Sequence, residues 1–181
     1  MKVFLNRVFS ELNPVNKDLE TAEKIIKYSG VIFTLISFVT LYQSVISVKY
    51  FFEQSFEDLD FNLILSLIWI FYLPVSMFLF WKKQNLGWFM TFGYLLYSGL
   101  TYFFLFITIM QTYRTSKTVL DMLGMSPFNF LFKFLFFTSL VFLLSKQSVR
   151  IKFKIETKQF NFTIGLLLLI TIVQYFYSYL K

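Results

Sequence analysis

Five apolar runs, each long enough to cross a membrane, constrain this chain more than any other feature. A bilayer core about 30 Å thick needs a helix of roughly 20 apolar residues. The runs cover 30–50, 62–81, 87–112, 127–145 and 161–180. They predict an all-α fold, a polytopic transmembrane helical bundle of about five spans.

Composition separates a membrane bundle from a soluble helical domain. Hydrophobic residues make up 57% of the chain and charged residues only 15%, with a mean hydropathy of +0.64. A soluble domain of this size carries about 25% charged residues. The charges are also bunched between the apolar runs, which favours a multi-pass membrane protein.

Two amphipathic helical pieces precede the first run. The apolar residues of the first piece share one helical face: Phe4, Leu5, Val8, Phe9 and Leu12. Pro14 interrupts the chain, and the pairs Glu20–Lys24 and Glu23–Lys27 support a second helix at i, i+4 spacing. We expect this helix to continue into the first span, so the predicted division is 1–29, cytoplasmic helices, and 30–181, one transmembrane bundle.

The distribution of cations predicts the orientation. Of the 17 Lys and Arg residues, 12 lie in 1–29, 82–86 and 146–160. These three pieces share one side of the membrane if all five runs cross it. Cytoplasmic loops are enriched in Lys and Arg, so we expect a plasma (inner) membrane protein with its N-terminus in the cytoplasm.

The connector 146–160 alternates apolar and charged residues, a period that predicts a short basic strand. Its apolar members are Val149, Ile151, Phe153 and Ile155, and its cations include Arg150, Lys152, Lys154 and Lys158. One interpretation places the cations on anionic lipid headgroups of the cytoplasmic leaflet. Another pairs the strand with a neighbouring subunit or a partner protein. Nucleic acid is a poor fit, because no aromatic stacking platform accompanies the cations.

The third run carries a stripe of small polar residues at steps of three and four. Its members include Thr91, Tyr94, Ser98, Thr101 and Thr108. Such a stripe packs against other helices, since small side chains allow close approach and hydrogen bonds. The alternative is a hydroxyl-lined lumen in an assembled pore.

Lys133 is the one cation predicted well inside a span. It follows Pro127 by less than two helical turns, so its side chain can reach the outer interface by snorkelling. A cation at a pore mouth is the other interpretation.

The sequence offers little for catalysis. It contains no Cys and no His, and the five runs contain no Asp or Glu. Thiolate and imidazole chemistry are therefore excluded, and no general base is at hand to activate a serine. We expect no enzyme, no cofactor and no metal site.

These features favour a protein that acts by assembly, either as a self-associating pore-type effector or as an accessory subunit of another complex. Small membrane proteins of this size occur as such subunits in prokaryotic immune systems, which makes antiviral defence one expected setting. The alternative is a small transporter or lipid-handling protein. That class would favour inverted repeats, into which five spans do not divide.

Overall fold

The computed structural model describes residues 14–53, 61–115 and 126–180, and side chains over 18–50, 67–113 and 126–173. This part of the chain is helical. Its elements are α1 Pro14–Glu53, α2 Phe61–Trp81, α3 Asn85–Thr115, α4 Pro127–Ser145, α5 Gln147–Lys152 and α6 Thr157–Leu180.

Three stretches of helix are long and apolar enough to cross a membrane, a feature compatible with a membrane location. They are Asp18–Tyr50, Asn85–Tyr113 and Pro127–Ser145. Two further apolar stretches, Leu67–Trp81 and Thr157–Val173, are shorter within the described side chains. The prediction of an all-helical fold is confirmed for the described residues, and the number of five spans remains a prediction.

Helix α1 joins the second amphipathic piece to the first apolar run without interruption, as expected. It begins at Pro14, where proline suits the first turn because its missing N–H would have no helical partner. The first amphipathic piece, in 1–12, lies outside the described residues, and the division into 1–29 and 30–181 remains a prediction.

The predicted strand in the basic connector is wrong. Gln147–Lys152 is a short helix, and Lys154 follows it with a φ of 57°. Val149 and Phe153 are fully buried while Ile151 is 58% exposed, so the apolar face repeats every four residues and not every two. A short alternating run fits either period, and packing against other helices selected the helical one.

The described chain forms two compact units. The first unit contains residues 1–91 and 147–154, and the second contains 92–146 and 155–181. Helix α5 therefore belongs to the first unit, although the helices before and after it in sequence belong to the second.

Within the first unit, small residues on α1 let α2 approach closely. A Cβ on Gly30 would lie 3.1 Å from ring atoms of both Phe80 and Trp81, tighter than ordinary contact. The Trp81 Nε1 donates a hydrogen bond to Thr34 Oγ1 at 3.1 Å. The buried small residues on this face of α1 are Ala22, Ser29, Gly30, Ser37 and Ser44.

A tight turn connects α2 to α3 in the same unit. The amide of Lys83 donates to the Phe80 carbonyl at 2.9 Å, and the amide of Gln84 donates to the Leu79 carbonyl at 3.1 Å. This pair of bonds closes the end of a helix around a residue in the left-handed region, here Lys83 with a φ of 53°. The turn brings Gly87 against the backbone of Leu79, where a Cβ has no room.

In the second unit, aromatic side chains join α3 to α4. Tyr102 stacks on Phe137 with ring centroids 5.5 Å apart, and Phe103 lies 5.1 Å from Phe134. Gly99 also faces Phe137. Positions that increase along α3 meet positions that decrease along α4, so the two helices run antiparallel.

Candidate functional site

The structure brings together most of the predicted cations of the connector. Arg150 and Lys152 lie in the last turn of α5, and Lys154 lies two residues after its end, all within the first unit. Lys158 lies in the first turn of α6 and belongs to the second unit. We call the surface formed by the N-terminal part of α1, the α2–α3 turn and residues 147–154 the basic end.

Apolar contacts hold α5 at the basic end. Phe153 is fully buried, and its ring lies 5.1 Å from that of Phe80. Phe80 in turn lies 6.2 Å from Phe33 on α1. Val149, one turn before Phe153, is also fully buried. These side chains therefore pack inside the protein and are not available to the headgroup boundary.

Glu23 links three separate pieces of the chain. Its Oε1 accepts a hydrogen bond from Lys152 Nζ at 2.9 Å and lies 3.7 Å from Lys83 Nζ. The three residues belong to α1, α5 and the α2–α3 turn. One carboxylate oxygen thus faces two ammonium groups, and the trio keeps a net charge of +1.

The environment of Glu23 favours its ionised form. The hydrogen bond from Lys152, its positive charge and the charge of Lys83 lower the pKa of the Glu23 carboxyl below its usual value of 4.5. The carboxylate is about half exposed, so water screens much of this interaction. The trio therefore contributes little to the stability of the fold, although it connects α1, α5 and the α2–α3 turn.

The outer surface of the basic end combines cations with exposed apolar side chains. Ile151 is 58% exposed and Trp81 is 47% exposed. Lys154 is exposed, and Lys82 Nζ lies 5.5 Å from the centre of the Phe78 ring. Tryptophan and lysine in this combination are typical of the membrane–water interface.

Sequence reasoning missed the role of Glu23. The i, i+4 rule assigned Glu23 to Lys27, and the same rule correctly gave Glu20–Lys24, which the structure shows at 2.7 Å. Glu23 reaches 129 residues along the chain to Lys152. A single sequence carries no signal for such a pair, since it depends on how the helices pack.

The polar stripe of α3 does not form one surface. Thr91 and Tyr94 are buried, Ser98 and Thr101 are half-buried, and Thr108 is exposed. Thr101 and Thr108 each donate to the carbonyl four residues earlier, at 2.9 and 3.0 Å. These two hydroxyls satisfy themselves within their own helix, so neither requires a lumen.

Lys133 is exposed and lies beside two aromatic rings. Its Nζ is 5.2 Å from the centre of the Tyr102 ring and 5.8 Å from that of Phe130, one turn earlier on α4. The side chain therefore points toward the start of α4, the direction that snorkelling requires. Cation–π attraction of this kind contributes roughly 0.5–2 kcal/mol.

Nothing in the described residues marks a reaction centre. Within 14–53, 61–115 and 126–180, no group of three His, Cys, Asp or Glu residues is placed to hold a metal ion. No protein-family model, curated protein or solved structure matches this chain.

Proposed function

We propose that this chain is a non-catalytic, multi-pass protein of the plasma (inner) membrane that crosses the bilayer five times. In this proposal its N-terminus and its basic end lie on the cytoplasmic side. The protein acts by assembly, with copies of itself as a pore-type effector or with another protein as an accessory subunit.

The observation that carries the topology is the ion-pair trio of Glu23, Lys83 and Lys152. The distribution of cations assigns 1–29, 82–86 and 146–160 to the same side of the membrane. The trio takes one residue from each of these three pieces. This contact supports an even number of crossings between each piece and the next, the arrangement that five spans require.

The contact between α1 and α2 supports a membrane boundary close to Gly30. Trp81 ends α2, lies against Gly30 and donates to Thr34, so these residues share one level. Tryptophan prefers the interface, and Lys82 follows immediately. This level agrees with the predicted start of the first span at residue 30.

Helix lengths support the two crossings that are shorter within the described side chains. Helix α2 has 21 residues and α6 has 24. At 1.5 Å per residue they extend about 31 and 36 Å, enough for a core about 30 Å thick. Each of the two helices is therefore long enough to be one of the five proposed spans.

Exposed apolar surface supports an assembling role. On α4, Phe128, Phe132 and Phe142 are 76%, 72% and 67% exposed. Lipid or another protein must cover these rings. Together with the lack of histidine and cysteine, this favours a protein whose activity lies in its contacts.

Cysteine accessibility tests the topology, because the natural chain has no cysteine. We expect Gln147→Cys to resist a membrane-impermeant thiol reagent in intact cells and to react after lysis. Ser55→Cys, in the loop predicted outside, should react in intact cells. Labelling of both positions from the same side would contradict five spans.

Native mass in nanodiscs tests the mode of action. A homo-oligomer that conducts ions in liposomes would support a pore, and a chain that co-purifies with another protein would support an accessory role. If a lumen exists, replacing Ser98 and Thr101 with Ala should lower the ion flux while thermal stability is retained. A lone chain with neither partner nor flux would refute assembly.

A further inference from the structure

Gln43 is a polar side chain on the part of α1 proposed to span the membrane, and it has no hydrogen-bond partner among the described side chains. It is exposed and makes no hydrogen bond within the described part of the chain. From the boundary at Gly30, thirteen residues of helix place it about 20 Å into a core about 30 Å thick. An amide left unpaired at this depth is strongly unfavourable, because lipid supplies neither donor nor acceptor.

Snorkelling does not bring the Gln43 amide to water. Helical side chains point toward the N-terminus of their helix, and for Gln43 that direction leads deeper into the membrane. The nearer interface lies the other way, toward Tyr50. The neighbouring hydroxyl of Ser47 does not donate to the Gln43 amide, because it donates to the Gln43 backbone carbonyl at 3.0 Å.

The residues around Gln43 form a regular seam along α1. Spaced alternately by four and three, they are Ile32, Ile36, Val39, Gln43, Ile46 and Tyr50. Val39 and Tyr50 are 58% and 60% exposed, and the three isoleucines are half-buried. This spacing allows knobs-into-holes packing between two helices. One polar residue at such a position specifies the register of the helices and the number of helices that associate.

We infer that this α1 seam is where two copies of the chain pair, and that Gln43 of each copy bonds to Gln43 of the other. The inference rests on the proposed assembling function and names its contact. Copies inserted with the same topology run parallel, so a twofold axis along the membrane normal sets each seam residue opposite itself. A primary amide suits this position, since it donates and accepts and can exchange hydrogen bonds with its own copy.

Adjacent residues on α1 provide matched controls at almost the same depth. Phe38 and Val45 are 61% and 55% exposed but lie about 100° around the helix from Val39 and Ile46. We expect single cysteines at Val39 and Ile46 to cross-link between copies under mild oxidation in native membranes. Cysteines at Phe38 and Val45 should not cross-link.

Substitutions of Gln43 test the amide itself. Gln43→Leu should weaken pairing about tenfold, the loss expected for two interhelical hydrogen bonds. Gln43→Asn should retain most of the pairing, and Ser47→Ala should leave it unchanged. Pairing that is insensitive to Gln43→Leu would overturn the inference.

The remaining outcomes separate this inference from the proposed function. Cross-links only at Phe38 and Val45, or none on α1 while the native mass exceeds one chain, would overturn the seam and leave assembly intact. A single chain bound to another protein would overturn self-pairing and leave the accessory role. A single chain without any partner would overturn both.

Discussion

Two lysines adopt a backbone conformation that usually belongs to glycine. Lys83 and Lys154 have φ values of 53° and 57°, and each lies two residues after the end of a helix. A side chain in this region costs roughly 1–2 kcal/mol. Lys83 forms an ion pair with Glu23, whereas Lys154 is exposed and forms no ion pair within the described part of the chain.

Lys154→Gly should therefore raise the free energy of unfolding by about 1 kcal/mol, because glycine removes the steric conflict. Lys158→Gly is the matched control, since the same change within α6 should lower stability by up to about 1 kcal/mol. Thermal unfolding of the purified variants in detergent measures both. A loss of stability at both positions would contradict the left-handed turn.

Two glycines in helices have opposite surroundings. At Gly87 a Cβ would overlap the backbone of Leu79 and Phe80, whereas at Gly165 nothing lies within 4 Å of that position. Gly87→Ala should destabilise the protein by about 1–3 kcal/mol through overpacking. Gly165→Ala should be neutral or stabilise by up to about 1 kcal/mol. Equal effects in a thermal unfolding assay would contradict the close approach at Gly87.

At the scale of the element, α5 is a helix of only six residues that other helices stabilise by packing against it. An isolated helix of this length does not persist in water. Val149 and Phe153 place their side chains among α1 and α2 residues, and Lys152 reaches Glu23. Tertiary packing, and not local propensity, makes this segment helical.

Phe153→Ala and Ile151→Ala distinguish the helix from the alternating strand. In a strand both side chains share a face and their loss would have similar consequences. In the helix Phe153 is buried and Ile151 is exposed. We expect a loss of about 3 kcal/mol or more for Phe153→Ala and about 0.5 kcal/mol or less for Ile151→Ala, measured by thermal unfolding.

The sequence predicted the long elements well and the contacts of the site poorly. Twenty-residue apolar runs and Pro14 define α1 to α4 and α6 because length and hydropathy are local properties. Lys152 and Lys154 were recognised as part of a basic surface, since cations cluster visibly along the chain. The contacts of Glu23 and the burial of Phe153 could not be recognised from the sequence, because both depend on residues far away along the chain.

At the scale of the whole molecule, the charge balance between Lys83 and Lys152 depends on one carboxylate, that of Glu23. Glu23 has a lowered pKa, so its contribution to stability is complete above its usual value of 4.5 and is lost as the pH falls through the lowered pKa. Below that point Lys83 and Lys152 lose the negative charge that they share.

A double-mutant cycle between Glu23→Gln and Lys152→Gln should show favourable coupling at neutral pH. The coupling should disappear as the pH falls well below 4.5, because the protonated carboxyl no longer differs in charge from the amide. Added salt should also reduce it, since the pair is partly exposed. Thermal unfolding across pH measures the cycle, and coupling that persists in acid would contradict the ionic contact.

The position of α5 in the chain sets the order in which the protein can mature. Trp81 leaves the ribosome about 65 residues before Gln147, which at ordinary elongation rates corresponds to roughly 3–13 s. During that interval α1 and α2 are already available to the translocon, but Phe153 is not yet present to pack on Phe80, and Lys152 is not yet present to pair with Glu23. The first unit to be synthesised is therefore completed late, and a nascent chain arrested before α5 would present an unfinished surface to the quality-control machinery of the membrane.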